Sequence, residues 1–175
     1  MLLAAIGAGR LQELRISREH ERIRGGPRAA SSTYPLLVGL HVALLTLPLL
    51  EVAGHPRRRP RWGWAGVLVA ASALKVWSMR SLGAEWNVHA AVPQDLEPVV
   101  SGPYRYIRHP NYLALVLEFL AIPLVAGARI SAVVLSTFHA VVLYERITAE
   151  ERLLDESAAY RAAFRRRARF IPGVF

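Results

Sequence analysis

The sequence predicts an all-α integral membrane protein of about five transmembrane helices, closing with a helical hairpin and a cytosolic tail. Three observations predict it. Four apolar runs, Pro35 to Gly54, Trp62 to Leu82, Tyr112 to Gly127 and Ile130 to Tyr144, are too long and too uniform to alternate as strands. The net charge of +9 lies mostly between these runs and in the tail. Two polar clusters, Ser101 to Tyr112 and Arg146 to Glu151, stand at the mouths of the last two runs, which suggests a site built at a membrane surface.

The elements follow in order. Met1 to Ala8 is apolar, and Arg10 to Arg24 is a charged helical pattern carrying Leu11, Leu14 and Ile16. A signal peptide would place its positive charges before the apolar stretch, and here they come after it. Residues 1–24 therefore read as a weak first helix continuing into a cytosolic extension, ended by Gly25-Gly26-Pro27. A spanning helix needs about 20 apolar residues. Residues 35–54 and 62–82 meet that length, the second interrupted by Lys75 and Arg80. Residues 112–127 and 130–147 are shorter, and the tight Gly127-Ala128-Arg129 turn makes them a hairpin. Residues 148–175 form the tail, and residues 1–175 read as a single domain.

Arginine counts orient the chain. All but Lys75 of the 22 basic residues are Arg. With five segments, the loop around residues 18–34, the loop 83–111 and the tail share one side and hold the larger share of Arg, which places that side in the cytosol. The His55 to Arg61 loop opposes the assignment. Cationic flanks on apolar segments meet membrane lipids. They are not interleaved with base-stacking aromatics, so no nucleic acid is expected. The chain has no Cys, which excludes disulfides, thiolate nucleophiles and Cys ligands, and no metal site is expected.

Candidate chemistry starts with ionisable residues inside the apolar runs: His41, Lys75, Glu118 and His139. Lys75 can snorkel, and the histidines can stay neutral and bond between helices. Glu118 is the candidate to line a substrate cavity. In Arg108-His109-Pro110, Pro110 forces His109 out of the helical region and opens the next helix. Its free amides and Arg108 could receive an anion, or simply cap the helix against lipid phosphates. Arg146 and Glu150 are i,i+4 neighbours. They read either as a solvated ion pair or, with Glu151, as half of a site for a ligand bearing both charge signs.

At these residues the chain resembles the isoprenylcysteine carboxyl methyltransferase family of integral membrane methyltransferases. That family carries Gly-x-Tyr, then Arg-His-Pro-x-Tyr at the start of a hairpin, then Arg-Ile-x-x-Glu-Glu-x-x-Leu, an aromatic pair and a Pro. Here these are Gly102, Tyr104, Arg108, His109, Pro110 and Tyr112, then Arg146, Ile147, Glu150, Glu151 and Leu154, then Tyr160, Phe164 and Pro172. The resemblance implies S-adenosyl-L-methionine bound at the cytosolic face beneath the tail, and a lipophilic acceptor arriving from the bilayer. It implies cofactor binding by Tyr104, Arg108, His109, Pro110, Tyr112, Glu150 and Glu151, with Arg146 facing the acceptor. His109 or Glu118 would serve as base for a phenol or enol. The Phe-Gly pair usual after Glu-Glu is absent, Ala114 replaces a Gly found in eukaryotic members, and Arg165 to Arg169 is unusually basic. These departures bear on the acceptor more than on the donor. The Arg- and Ala-rich composition looks bacterial, and for a bacterial chain the resemblance implies an inner-membrane enzyme acting on a long-chain phenol, a pyrone or a similar lipid-like hydroxyl or carboxyl. The alternatives are methylation of an isoprenylcysteine carboxyl or an amine headgroup and, in another class, a non-enzymatic transporter or scaffold.

Overall fold

Backbone amides in an apolar run have only one another as partners, so each run closes into a helix. The computed structural model describes residues 2–24, 26–29, 32–55, 59–92 and 96–171, with backbone alone for 2–5 and 24. Pro172, Arg57 and Arg58, which entered the expectations above, lie outside the described residues. Among those described there are six helices: α1 (Leu2–Arg24), α2 (Tyr34–Ala53), α3 (Gly63–Leu82), α4 (Pro110–Ala126), α5 (Arg129–Leu154) and α6 (Ala158–Phe164). The described residues hold no strand, only isolated bridges pairing Arg28 with Ala91 and Ile107 with Ala168.

Two expectations need adjusting. The last hairpin helix was expected to end at residue 147, but α5 runs on to Leu154, because its polar residues keep the helical phase after the apolar run stops. Helix α6 was not anticipated. It is seven residues long, and the Ser157 side chain caps it by accepting from the Tyr160 amide at 3.3 Å. By length and composition alone, two helices qualify to cross a membrane, α2 and α5. α4 is apolar but 17 residues long. The expected count of about five spans is therefore not what that measure returns.

The packing is nonetheless that of a protein facing apolar surroundings. Leu36, Val42 and Leu50 of α2, Val69 of α3, and Val133 and Phe138 of α5 point outward, whereas Glu118, His139 and Arg146 are buried. Within, Leu44, Leu68, Phe119, Ile122 and Leu135 form the main core, with Ile6 of α1 against it. α4 packs on α3 and α5, and α2 packs on α5. The hairpin turns on Gly127, whose φ of +84° suits a residue without Cβ. The Ala128 amide returns to the Pro123 carbonyl at 2.8 Å, and that of Gly127 to Leu124 at 3.0 Å, satisfying the last carbonyls of α4. Glu51 then caps α5, accepting from the amides of Ile130 (3.1 Å) and Ser131 (2.7 Å).

The bundle thus has two distinct ends. At one, Glu51 meets Ser131, and the Arg61 amide bonds the Val125 carbonyl at 3.1 Å. At the other, the Ser17 hydroxyl accepts from the Val88 amide at 2.9 Å, Tyr34 lies against His89 with ring centroids 4.3 Å apart, and Arg146 donates to the Val88 carbonyl. The loop 18–34, the loop 83–111 and the tail, grouped above by topology, therefore gather at one end.

Candidate functional site

Two cavities meet at that end. The first has a volume of about 110 Å³ and a mixed lining, the more polar of the two. It is walled by the loop from Glu85 to Val92, by Tyr104, Arg108, His109 and Glu150, and by Tyr160 and Phe164. The second, about 470 Å³, is largely apolar and runs between α1 and α2, with Arg146 at its mouth. Trp86, Asn87, Asn111 and Tyr112 line both.

Each wall has a local cause. Gly102, at φ +56°, starts a 3₁₀ turn over Gly102–Arg105 that buries Tyr104. A Cβ at Gly102 would meet Ser81 Cβ and Trp77 Nε1 at 3.0 Å, so the turn lies directly on α3. His109 lies outside the helical region (φ −126°, ψ 58°), as its position before Pro110 favours, and Pro110 begins α4. The chain from Ile107 to His109 then pairs with the tail. The Arg108 amide bonds Ala168 O at 2.9 Å, the His109 amide bonds Arg169 O at 3.1 Å, and Arg108 Nε donates to Arg167 O at 2.7 Å. Arg167 in turn donates to the Tyr104 carbonyl at 3.0 Å.

Glu151 is the clamp of this arrangement. His109 Nε2 lies 3.1 Å from its Oε1, Arg169 Nη2 donates to its Oε2 at 2.6 Å, and Arg108 Nη1 approaches at 3.7 Å. Burial alone would raise the Glu151 pKa. The hydrogen bonds from His109 and Arg169 outweigh it and hold the carboxyl down to about 2. With Nε2–H given to Glu151, a neutral His109 keeps Nδ1 as an acceptor.

Glu150, one residue earlier, lines the first cavity instead. The Tyr112 hydroxyl donates to it and accepts from Arg146 Nε at 3.0 Å. The i,i+4 pair of Arg146 and Glu150 is thus bridged through a tyrosine rather than solvated, and Arg146 is only 2% exposed. Desolvation pushes the Tyr104 and Tyr160 phenols well up, so both stay neutral. Tyr160 stacks on Phe164 at 4.6 Å, giving the polar cavity an aromatic wall.

The structure brings together Tyr104, Arg108, His109, Pro110, Tyr112, Glu150, Glu151 and Arg146. It does not bring Glu118 to them. Glu118 lies deeper, paired with Lys75 at 2.9 Å and with Arg10. Sequence reading passed over Trp86, Asn87, Asn111 and Arg169. Asn87 ties its own loop, donating to Ala91 O at 2.9 Å and accepting from the Ala91 amide at 2.7 Å. Trp86 Nε1, Asn111 Oδ1 and Arg146 Nη1 are buried without a hydrogen-bond partner among the described residues. A polar residue in the first turn of an apolar helix was the available signal for Asn111, but Trp86 and Asn87 sit in an irregular loop that carried none.

Comparison with known proteins bears on this arrangement. The profile of the isoprenylcysteine carboxyl methyltransferase (ICMT) family matches residues 64–156. The uncharacterized protein YpbQ of Bacillus subtilis strain 168 is 32% identical over 161 residues, covering 89% of this chain and 96% of that protein.

Proposed function

The chain belongs to the isoprenylcysteine carboxyl methyltransferase family, and we propose that it is an S-adenosylmethionine-dependent O-methyltransferase of a lipophilic acceptor. Its active site faces the cytosol at a bacterial inner membrane. Residues 1–175 act as one domain, with α1 to α4 and residues 130–147 of α5 crossing the bilayer and residues 148–175 covering the cofactor. The observation that carries this reading is the meeting of a polar and an apolar cavity at Trp86, Asn87, Asn111 and Tyr112.

The residues of the polar cavity fit the cofactor's chemistry. Arg108 suits a carboxylate, Glu150 suits an ammonium or sulfonium, and Tyr104, Tyr160 and Phe164 suit a purine. Trp86 Nε1 and Asn111 Oδ1, buried and unpartnered among the described residues, supply a donor and an acceptor. When bound, S-adenosylmethionine supplies a methyl group on a sulfonium leaving group.

The chain's own residues do the rest. Arg146, held by Tyr112 and Val88, keeps Nη1 for an acceptor oxygen and favours its anionic form. A carboxylate needs no base; for a phenol or enol, His109 Nδ1 takes the proton while Glu151 orients the ring. Tyr112 and Asn111 line both cavities and flank the junction at which the acceptor oxygen meets the methyl group. Glu118, paired with two cations, is left out of the reaction.

The test is titration calorimetry of S-adenosylmethionine into detergent-purified protein, followed by transfer of a labelled methyl group to a panel of long-chain phenols, pyrones, isoprenylcysteines and amine headgroups. Micromolar binding and transfer to a phenol or pyrone are expected. No binding by folded protein would overturn the enzymatic reading, and transfer only to isoprenylcysteine or an amine would overturn the acceptor class.

A further inference from the structure

Midway down the bundle, Arg10, Glu13, Lys75 and Glu118 close a neutral quartet. Arg10 pairs with Glu13 at 2.7 Å, Lys75 with Glu13 at 2.7 Å and with Glu118 at 2.9 Å, and Arg10 also with Glu118. The four side chains are 4–15% exposed. Four charges among apolar helices are expensive even when paired, and apolar residues of the same volume would hold α1 as well. The quartet is not closed on itself, however. Arg10, Glu13 and Lys75 line the apolar cavity that Arg146 opens, and so does His41.

The donors do not balance the acceptors. An ammonium has three donors and a guanidinium five. The pairs with Glu13 and Glu118 use two from each cation. His41 adds an acceptor. Its Nδ1 faces the Leu37 carbonyl at 2.8 Å and must carry the hydrogen, so a neutral ring keeps a lone pair on Nε2. The depth of this second polar level follows from α4. Tyr112 stands at the reacting level and Glu118 six residues below it, about 9 Å along the helix axis. Between the two levels the wall is apolar, with Leu14, Leu37 and Leu115.

A plain alkyl chain entering this cavity would displace water from the quartet and leave its spare donors facing hydrocarbon. A chain with an oxygen atom at that depth would satisfy them. We infer that the acceptor carries a second oxygen function, a carbonyl or hydroxyl, about 9 Å from the oxygen that is methylated. Arg10 and Lys75 are the residues that read its oxygen, and His41 Nε2 can accept from it only where it is a hydroxyl. The inference rests on the acceptor occupying this cavity, as the proposed function has it.

The experiment compares two long-chain 4-alkylphenols, one with an unsubstituted chain and one with a keto group about 9 Å from the phenolic oxygen. Equilibrium binding to the purified full chain is read without cofactor, and methyl transfer is measured separately. The keto phenol is expected to bind about tenfold more tightly. The ratio should shrink in Lys75→Met/Glu13→Gln, which removes one of the two cations that read the oxygen while keeping the Arg10–Glu118 pair and the neutrality of the quartet. Lys75→Met/Glu118→Gln, which keeps the Arg10–Glu13 pair instead, is the second variant, for use if the first fails to melt cooperatively, and should narrow the ratio. Equal affinities in the unaltered chain, or a ratio preserved in the variants, would overturn the inference. A preference for the keto phenol with no methyl transfer to either phenol would overturn the phenol acceptor of the proposed function and leave standing only the polar reading of the cavity.

Discussion

Replacing Glu151 with Gln tests the clamp beneath the tail. The substitution keeps an acceptor for His109 but removes the charge that Arg169 and Arg108 neutralise. A charge-assisted hydrogen bond contributes about 1.5–3 kcal/mol when desolvated, and a surface pair about 1 kcal/mol or less. The Arg169 and Arg108 side chains are 26% and 22% exposed, so their shares fall toward the surface value, while the His109 share, at 4% exposure, stays near the buried one. The expected loss is about 2 kcal/mol at neutral pH, or roughly 5 °C in melting temperature for a chain of this length. The amide bonds from Arg108 and His109 to the tail remain, so the tail should loosen rather than detach. Cofactor affinity should fall at least about tenfold, the equivalent of about 1.4 kcal/mol. The pH dependence is a second readout. A carboxyl depressed in the folded chain stabilises it above the ordinary value near 4.5 and loses that contribution as pH falls toward about 2. The advantage of the unaltered chain over Glu151→Gln should therefore be full at pH 7 and shrink through that window. Unchanged melting and unchanged cofactor affinity at pH 7 would refute the clamp.

Three further substitutions have distinct signatures. Gly102→Ala places a Cβ at φ +56° against Ser81 and Trp77 and should cost about 2–3 kcal/mol in thermal melts; adding Ser81→Gly should recover only the share owed to Ser81. Arg146→Met should lower methyl transfer at least about 100-fold while leaving cofactor affinity nearly unchanged, as a group facing the acceptor would. Glu118→Gln leaves the quartet with an excess positive charge and should destabilise the chain by about 3 kcal/mol, most of it regained by adding Lys75→Met.

Much of the fold was legible because hydrocarbon leaves the backbone so few options. Apolar length placed α2, α3 and the hairpin to within about two residues at nearly every end, a common margin for helix termini. It failed at α5 because apolar composition reports apolar surroundings, not helicity. From Arg146 to Leu154 the helix continues with polar residues, of which Arg146 and Glu151 are buried against polar partners. The site motifs were legible through family resemblance, but their partners were not. Arg169 reaches Glu151 only through the fold of the tail, and Arg10 reaches Glu118 across 108 positions of chain. Glu118 could be recognised as costly where it stands, while the cations that pair with it belong to other helices.

The uninterrupted course of α5 fixes more than a boundary. One rod carries the capped turn at Ser131, the outward Phe138 and the inward Arg146 and Glu151, with no loop to absorb a change in length. Deleting one residue from its apolar stretch would rotate everything beyond by about 100°, turning Arg146 away from Tyr112. Deleting four would nearly restore the face but draw Glu151 about 6 Å back from the Arg108 loop. The number of residues in this span is thus set by rotational phase as well as by the thickness of what it crosses. Insertions and deletions should be far rarer here than substitutions, and those that occur should come as whole turns compensated in α4.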